Sequence, residues 1–192
     1  MSWIVGPLTR RLRTQFLNHK VSVGALEPHV RSDPSTLSFT ASLEGTLFFW
    51  QLGSVLSADA LHRLITAFYT RVFDDTEAPW FRSVFAELGS KEHHIERQHL
   101  FWMDVFFGHS RYKGGENGVH FHHKLAQDIM TSNGAKRWMM HMNAAIAQSE
   151  LNAVDPRIEL CLREFLEFTM ETYGVQFDFN VVDWIHTVAS KL

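Results

Sequence analysis

Apolar residues recur at helical spacing through most of the chain beyond Thr46. Leu61, Leu64, Ile65, Phe68, Tyr69 and Val72 fall at i, i+3, i+4, i+7, i+8 and i+11, which is one buried stripe of an amphipathic helix. Ser57 is a candidate cap for it, Asp59 stands in its first turn, and the stretch ends near Asp74 and Asp75, before a loop marked by Pro79. A second helix is expected from Lys91 to about Phe107, with Ile95, Gln98, Phe101, Trp102, Val105 and Phe106 on its inner stripe. Gly108, Gly114, Gly115 and Gly118 then break the chain into a loop-rich region. A third helix begins near Asn133 and Gly134 and aligns Ala135, Trp138, Met139, Met142, Ala145 and Ile146. Asp155 and Pro156 read as an N-cap and a first-turn proline that open a fourth, with Ile158, Cys161, Leu162, Phe165, Phe168 and Thr169 inside. Only Val175 to Val182 has some strand character, so the expected class is all-α.

The two ends differ from this middle. Up to Leu26 there is no acid, while Arg10, Arg11, Arg13 and Lys20 are interleaved with Trp3, Ile4, Val5, Leu8, Leu12, Phe16 and Leu17. That has the character of an organelle transit peptide followed by a Ser/Thr/Pro-bearing linker from Ser32 to Ser42; a disordered or loosely docked extension fits equally well. The expected organisation is an N-terminal extension over 1–45, a helical domain over 46–174 and a tail over 175–192.

Composition narrows the class further. A chain of 192 residues, 45% of them apolar, suits one compact domain, and a net charge of −3 provides no basic field for nucleic acid. The single cysteine, Cys161, excludes an internal disulfide and a cysteine zinc finger, and it favours an intracellular setting, cytoplasmic or organellar. The longest apolar run, Thr46 to Leu56 with Gln51 inside it, is short of the roughly 20 residues that span a bilayer. Twelve histidines point to metal, since imidazole is the commonest metal ligand.

Polar residues at core positions show where chemistry could lie. His94, Gln98, Phe101 and Val105 share one stripe of the second helix, so two polar side chains point where Phe101 points. Tyr69 adds a phenol from the first helix and Trp138 an indole N–H from the third. Each of these residues has an ordinary role in packed cores, but their convergence from three helices indicates a pocket. The cluster Val119-His120-Phe121-His122-His123-Lys124 supplies the other half. If it is a short helix, His123 shares a face with Val119, the usual way to present one neutral imidazole to haem iron. A non-haem site with His120, His122 and the carboxylate of Glu116 is the alternative, and a solvated His-rich loop is the third reading.

These residues also form a family pattern. From about Leu47 to Tyr173 the chain resembles the truncated haemoglobins, or 2-on-2 globins, and looks most like the second group with its plant-type members. Phe68 to Asp75 and Trp80 to Ala86 carry the plant-type likeness. Phe101 to Phe106, Arg111-Tyr112 and Gly114-Gly115 are similar to a bacterial branch, and Trp138 and Asp155-Pro156 complete the match. The resemblance implies a globin-like helical sandwich holding haem b, with His123 as the proximal iron ligand. Val119 would pack on the haem, His122 would face a propionate, Phe85 would wedge against the haem face, and Tyr112 would join the haem-binding set. Tyr69, His94, Gln98 and Trp138 would be the distal hydrogen-bonding groups, with Phe101 and Trp102 as the apolar wall.

The sequence departs from the pattern in two places. The stretch from His123 to Trp138 is slightly long around Leu125 to Ile129, and position 94 is often small in plant-type members. An imidazole there is large enough to reach iron, which raises the expectation of a six-coordinate resting state. The implied function is binding of dioxygen, nitric oxide or another diatomic ligand, for nitric oxide detoxification or sensing rather than bulk transport. A reductase is an expected partner; nucleic acid and a membrane span are not. The competing class is a non-haem, histidine-ligated metal protein.

Overall fold

The structure is a computed structural model and describes residues 6–112, 126–181 and 184. Among these the elements are helical, with no strand. The helices are α1 (Pro7–Ser22), the short α2 (Pro34–Leu37), α3 (Ala58–Phe73), α4 (Pro79–Leu88), α5 (Lys91–Phe107), α6 (Ser132–Gln148) and α7 (Ile158–Phe177). 3-10 turns stand at Pro28–Arg31, Phe49–Ser54, Gln127–Ile129 and Leu151–Ala153. None of the described helices is long and apolar enough to cross a membrane. The α3 helix packs against α5 on one side and α6 on the other, and α7 backs α6.

Local sequence explains most of these boundaries. Ser57 accepts the Ala60 amide at 3.1 Å, Ser90 the His93 amide at 3.2 Å and Thr131 the Gly134 amide at 3.2 Å, so three of the main helices start on side-chain caps. The α5 helix ends on Gly108 in the left-handed region, at φ 69°. Three boundaries differ from the sequence reading. Pro79 does not mark a loop: it sits in the first turn of α4, where its fixed φ suits a helix start and no N–H is needed. Asp155 does not cap the fourth main helix, because its carboxylate accepts both the amide and the guanidinium of Arg157, and α7 begins only at Ile158. Nor does the chain turn extended after Gly174, since α7 runs on to Phe177. A Cβ at Gly174 would stand 2.8 Å from the Phe179 carbonyl oxygen, so this glycine allows the returning chain to close on the helix.

Two apolar segments fill the centre. Phe49 and Trp50 are almost wholly buried and meet Phe16, Phe106 and Phe165 edge-on or tilted. Gln51, the polar break in that run, is satisfied by the backbone: its Oε1 accepts from the Phe48 amide and its Nε2 donates to the Ser35 and Ser38 carbonyls. Trp50 Nε1 donates to the Thr36 carbonyl at 2.9 Å, so the stretch between Ser32 and Ser42 is tied to the core. The N-terminal segment reaches it as well, through Leu8, Phe16 and Leu17.

A buried carboxylate joins α3, α4 and α6. Asp75, with 1% of its side chain exposed, accepts from the Glu77 and Ala78 amides, from Arg137 through Nε and Nη2 at 2.7 and 2.6 Å, and from His141 Nε2 at 2.7 Å. The Arg137 guanidinium holds the Asp75 carboxyl far below the ordinary carboxylate range. Removing one partner leaves a buried charge short of compensation, so Arg137→Ala is expected to lower stability by about 3 kcal/mol. Urea unfolding checks this, and a change under about 0.5 kcal/mol would remove Asp75 from its place in the fold.

Candidate functional site

A cavity of about 470 Å³ lies between α3, α5, α6 and α7, within the range of ligand pockets. All the expected site residues among the described ones line it: Tyr69, Phe85, His94, Gln98, Phe101, Trp102, Tyr112 and Trp138. Val119, His120, His122, His123 and Glu116 lie outside the described residues, so the proximal assignment is not placed. Phe85 and Trp102 are buried apolar walls and Phe101 is half-buried.

The polar groups hold one another. Burial keeps the Tyr69 phenol well above its ordinary value against the pull of Arg97, so it stays neutral and able to donate. Its Oη lies 3.4 Å from Gln98 Oε1, a long hydrogen bond that leaves the Gln98 NH2 as a donor group. Trp138 packs on Phe68, and its Nε1–H has no acceptor among the described residues. His94 is 2% exposed, stacks on Tyr69 with ring centroids 5.3 Å apart, and meets the Phe85 carbonyl through Nε2 at 2.8 Å. Because the partner is a carbonyl, Nε2 carries the proton and donates. Burial pushes this imidazole below its ordinary value, and the Phe85 carbonyl only partly opposes it. Thus Nε2 is committed to the last turn of α4, and iron ligation through it would require breaking that bond.

Two residues that sequence reasoning did not single out shape the rim. Asp104 accepts the Arg111 and Tyr112 amides at 2.8 and 2.9 Å, which pins the chain after α5 and sets Tyr112 edge-on to Phe101. Its signal was a lone acid inside the apolar run Phe101 to Phe107. Arg97 lines the cavity and donates to Tyr112 Oη at 3.4 Å; its signal was a cation three residues after His94. Leu8, Arg11, Leu12 and Gln15 of α1 line the cavity as well, and no spacing rule connects them to it.

The lining suits a flat, largely apolar ligand with a few polar points and an anionic edge. Aromatic walls face a small set of neutral donors, two arginines stand on the lining, and among the described residues no Asp or Glu does. Haem has that character, so the residues present fit it.

Comparison with known proteins agrees with this geometry. Residues 51–172 match the family described as bacterial-like globin. Over 100 residues the chain is 34% identical to a two-on-two hemoglobin-3 of Arabidopsis thaliana, a stretch covering 50% of this chain and 54% of that relative. The chain therefore spans about half the length of the curated relative it matches.

Two buried histidines, His94 and His141, and the half-buried His99 determine the expected acid response. Burial lowers the values of His94, His99 and His141 below the ordinary 6.5. The unfolded chain therefore takes up protons near pH 6.5 that the folded chain refuses, and stability present above that pH is lost as pH falls through it. Each such proton contributes a slope of up to about 1.4 kcal/mol per pH unit. Melting temperature is expected to fall between pH 7 and 5, and less steeply in His94→Gln. A flat profile in the wild type would contradict the neutral assignment of these rings.

Proposed function

The chain belongs to the bacterial-like globin family, and from that premise we propose that its cavity holds haem b and binds dioxygen, nitric oxide or a similar diatomic ligand, with His123 as the iron ligand. The observation that carries this reading is the convergence of Tyr69, Phe85, His94, Gln98, Phe101, Trp102, Tyr112 and Trp138 on one cavity. When bound, haem supplies an iron with a coordination position for the diatomic ligand.

The chain's own residues determine how that ligand is kept. Tyr69 O–H, the Gln98 amide and Trp138 N–H are donors in a site walled by Phe85 and Trp102. Donors aimed at a ligand that carries partial negative charge are strongest in such surroundings, where charge-assisted hydrogen bonds are roughly twice as strong as neutral ones. Neutral His94, fixed to the Phe85 carbonyl, stacks on Tyr69 and orients its phenol. With these donors the expected behaviour is slow release of dioxygen, which favours nitric oxide detoxification, peroxidase-like chemistry or sensing over bulk transport. An electron-donating reductase is the partner that this reading calls for.

Stopped-flow dissociation measurements test the donors. Tyr69→Phe and Trp138→Phe are each expected to raise the dioxygen dissociation rate by about tenfold, the loss of one charge-assisted hydrogen bond. Unchanged rates in both variants would show that these side chains do not face the ligand. Absorption spectra test the iron ligand: the Soret band should be lost in His123→Ala and kept in His120→Ala. A colourless protein with stoichiometric zinc would instead establish the non-haem metal reading.

A further inference from the structure

Two histidines that do not line the cavity stand ring against ring. His62 of α3 and His99 of α5 have ring centroids 5.1 Å apart with their planes at 87°, on two helices that pack against each other. His62 is exposed and His99 is half-buried.

The His99 ring is committed at one nitrogen only. It donates a hydrogen bond to the carbonyl of Ala58, at the start of α3. Its Nε2 is shielded from water and has no partner, so the bond to Ala58 is made by Nδ1–H and Nε2 keeps its lone pair. A buried acceptor left without a donor is costly. A proton there is opposed, since burial and the charge of a protonated His62 both keep His99 neutral. A neutral imidazole whose far N–H is tied to a backbone carbonyl is the form in which histidine ligates metal, because the carbonyl fixes both tautomer and ring orientation.

The spacing suits an ion shared with His62. With metal–nitrogen bonds of about 2.0–2.1 Å, two imidazoles on a tetrahedral ion have ring centres about 5 Å apart. Asp59, exposed and one turn before His62, supplies a negative charge that acts on His99. Among the described residues no group of three or more His, Cys, Asp or Glu surrounds one point, so the ion's other positions fall to water. Imidazole donors select cations such as Zn2+, Ni2+ and Cu2+, whereas Mg2+ and Ca2+ prefer oxygen.

We propose that His62 and His99 form a two-histidine site for a divalent transition-metal ion, which clamps α3 to α5 outside the cavity. It is separate from the haem reading and from the non-haem alternative at His120, His122 and Glu116. An ion held there sits close behind the cavity donors, since His99 follows Gln98 and His62 lies two turns before Tyr69.

The test titrates the metal-stripped full chain with Zn2+ by isothermal titration calorimetry and compares variants. His62→Ala and His99→Gln are each expected to lose one equivalent of Zn2+ or to weaken it by at least about tenfold. His93→Ala, an exposed histidine on the same helix as His99, keeps the wild-type count. The count is a difference between chains, so ions held at other histidines cancel. Electron paramagnetic resonance of bound Cu2+ is the second readout: the wild type should show a two-nitrogen hyperfine pattern that His62→Ala loses. Position 62 is exposed, so circular dichroism and haemin uptake of His62→Ala should match the wild type, which separates failure here from loss of fold and from failure of the haem reading. Equal stoichiometry and affinity in the wild type, His62→Ala and His99→Gln would overturn the proposal. Loss in His62→Ala with none in His99→Gln would overturn it too, since a single surface imidazole would then hold the ion.

Discussion

Asp75 lies where α3 ends, and its carboxylate is shared between the amides that lead into α4 and two side chains of α6. Those helices carry the residues that face one another across the cavity: Tyr69 on α3, Phe85 on α4 and Trp138 on α6, the last of which sits between Arg137 and His141 in sequence. A buried carboxylate is tolerable only when its charge and lone pairs are met, so the demand for those partners also sets the spacing of three cavity walls. His141 completes the arrangement by stacking on Phe81, one turn before Phe85. The cavity is therefore framed by a polar anchor that does not itself line it.

Inside the frame the same rule operates on a smaller scale. Tyr69, Gln98 and His94 could not occupy an apolar stripe as isolated groups, and each is held by the others or by backbone. Burial keeps Tyr69 and His94 uncharged; the His94 hydrogen goes to the Phe85 carbonyl, which leaves the ring fixed against Tyr69, and fixed donors in low-dielectric surroundings are what a partly charged small ligand rewards. The rim differs: Arg97 and Tyr112 are only half-buried there and hydrogen-bonded to each other.

What the sequence made legible was what depends on near neighbours. The α3 stripe and its Ser57 cap follow from spacing and one side chain, and the misplaced polarity of Tyr69, His94, Gln98 and Trp138 was a local signal that the cavity accounts for. Pro79 was ambiguous because proline both ends and begins helices, and here the Asp75 contacts to the preceding amides accompany the beginning. The carboxylate of Asp155 had two competing uses, a cap or a turn held by Arg157, and the turn won. Contacts between distant segments were not legible. Thr9 and Asp104 are 95 residues apart, and nothing periodic links α1 to α5; an acid-poor, basic start looks alike whether it is a leader or a wall.

Haem stoichiometry tests most directly whether this polar-anchored cavity is a haem site. Titrating the full chain with haemin and reading both Soret absorbance and quenching of tryptophan fluorescence should give one tight equivalence point at one haem per chain, because Trp102 and Trp138 line the cavity. A titration without an equivalence point, with tryptophan emission unchanged, would contradict the account.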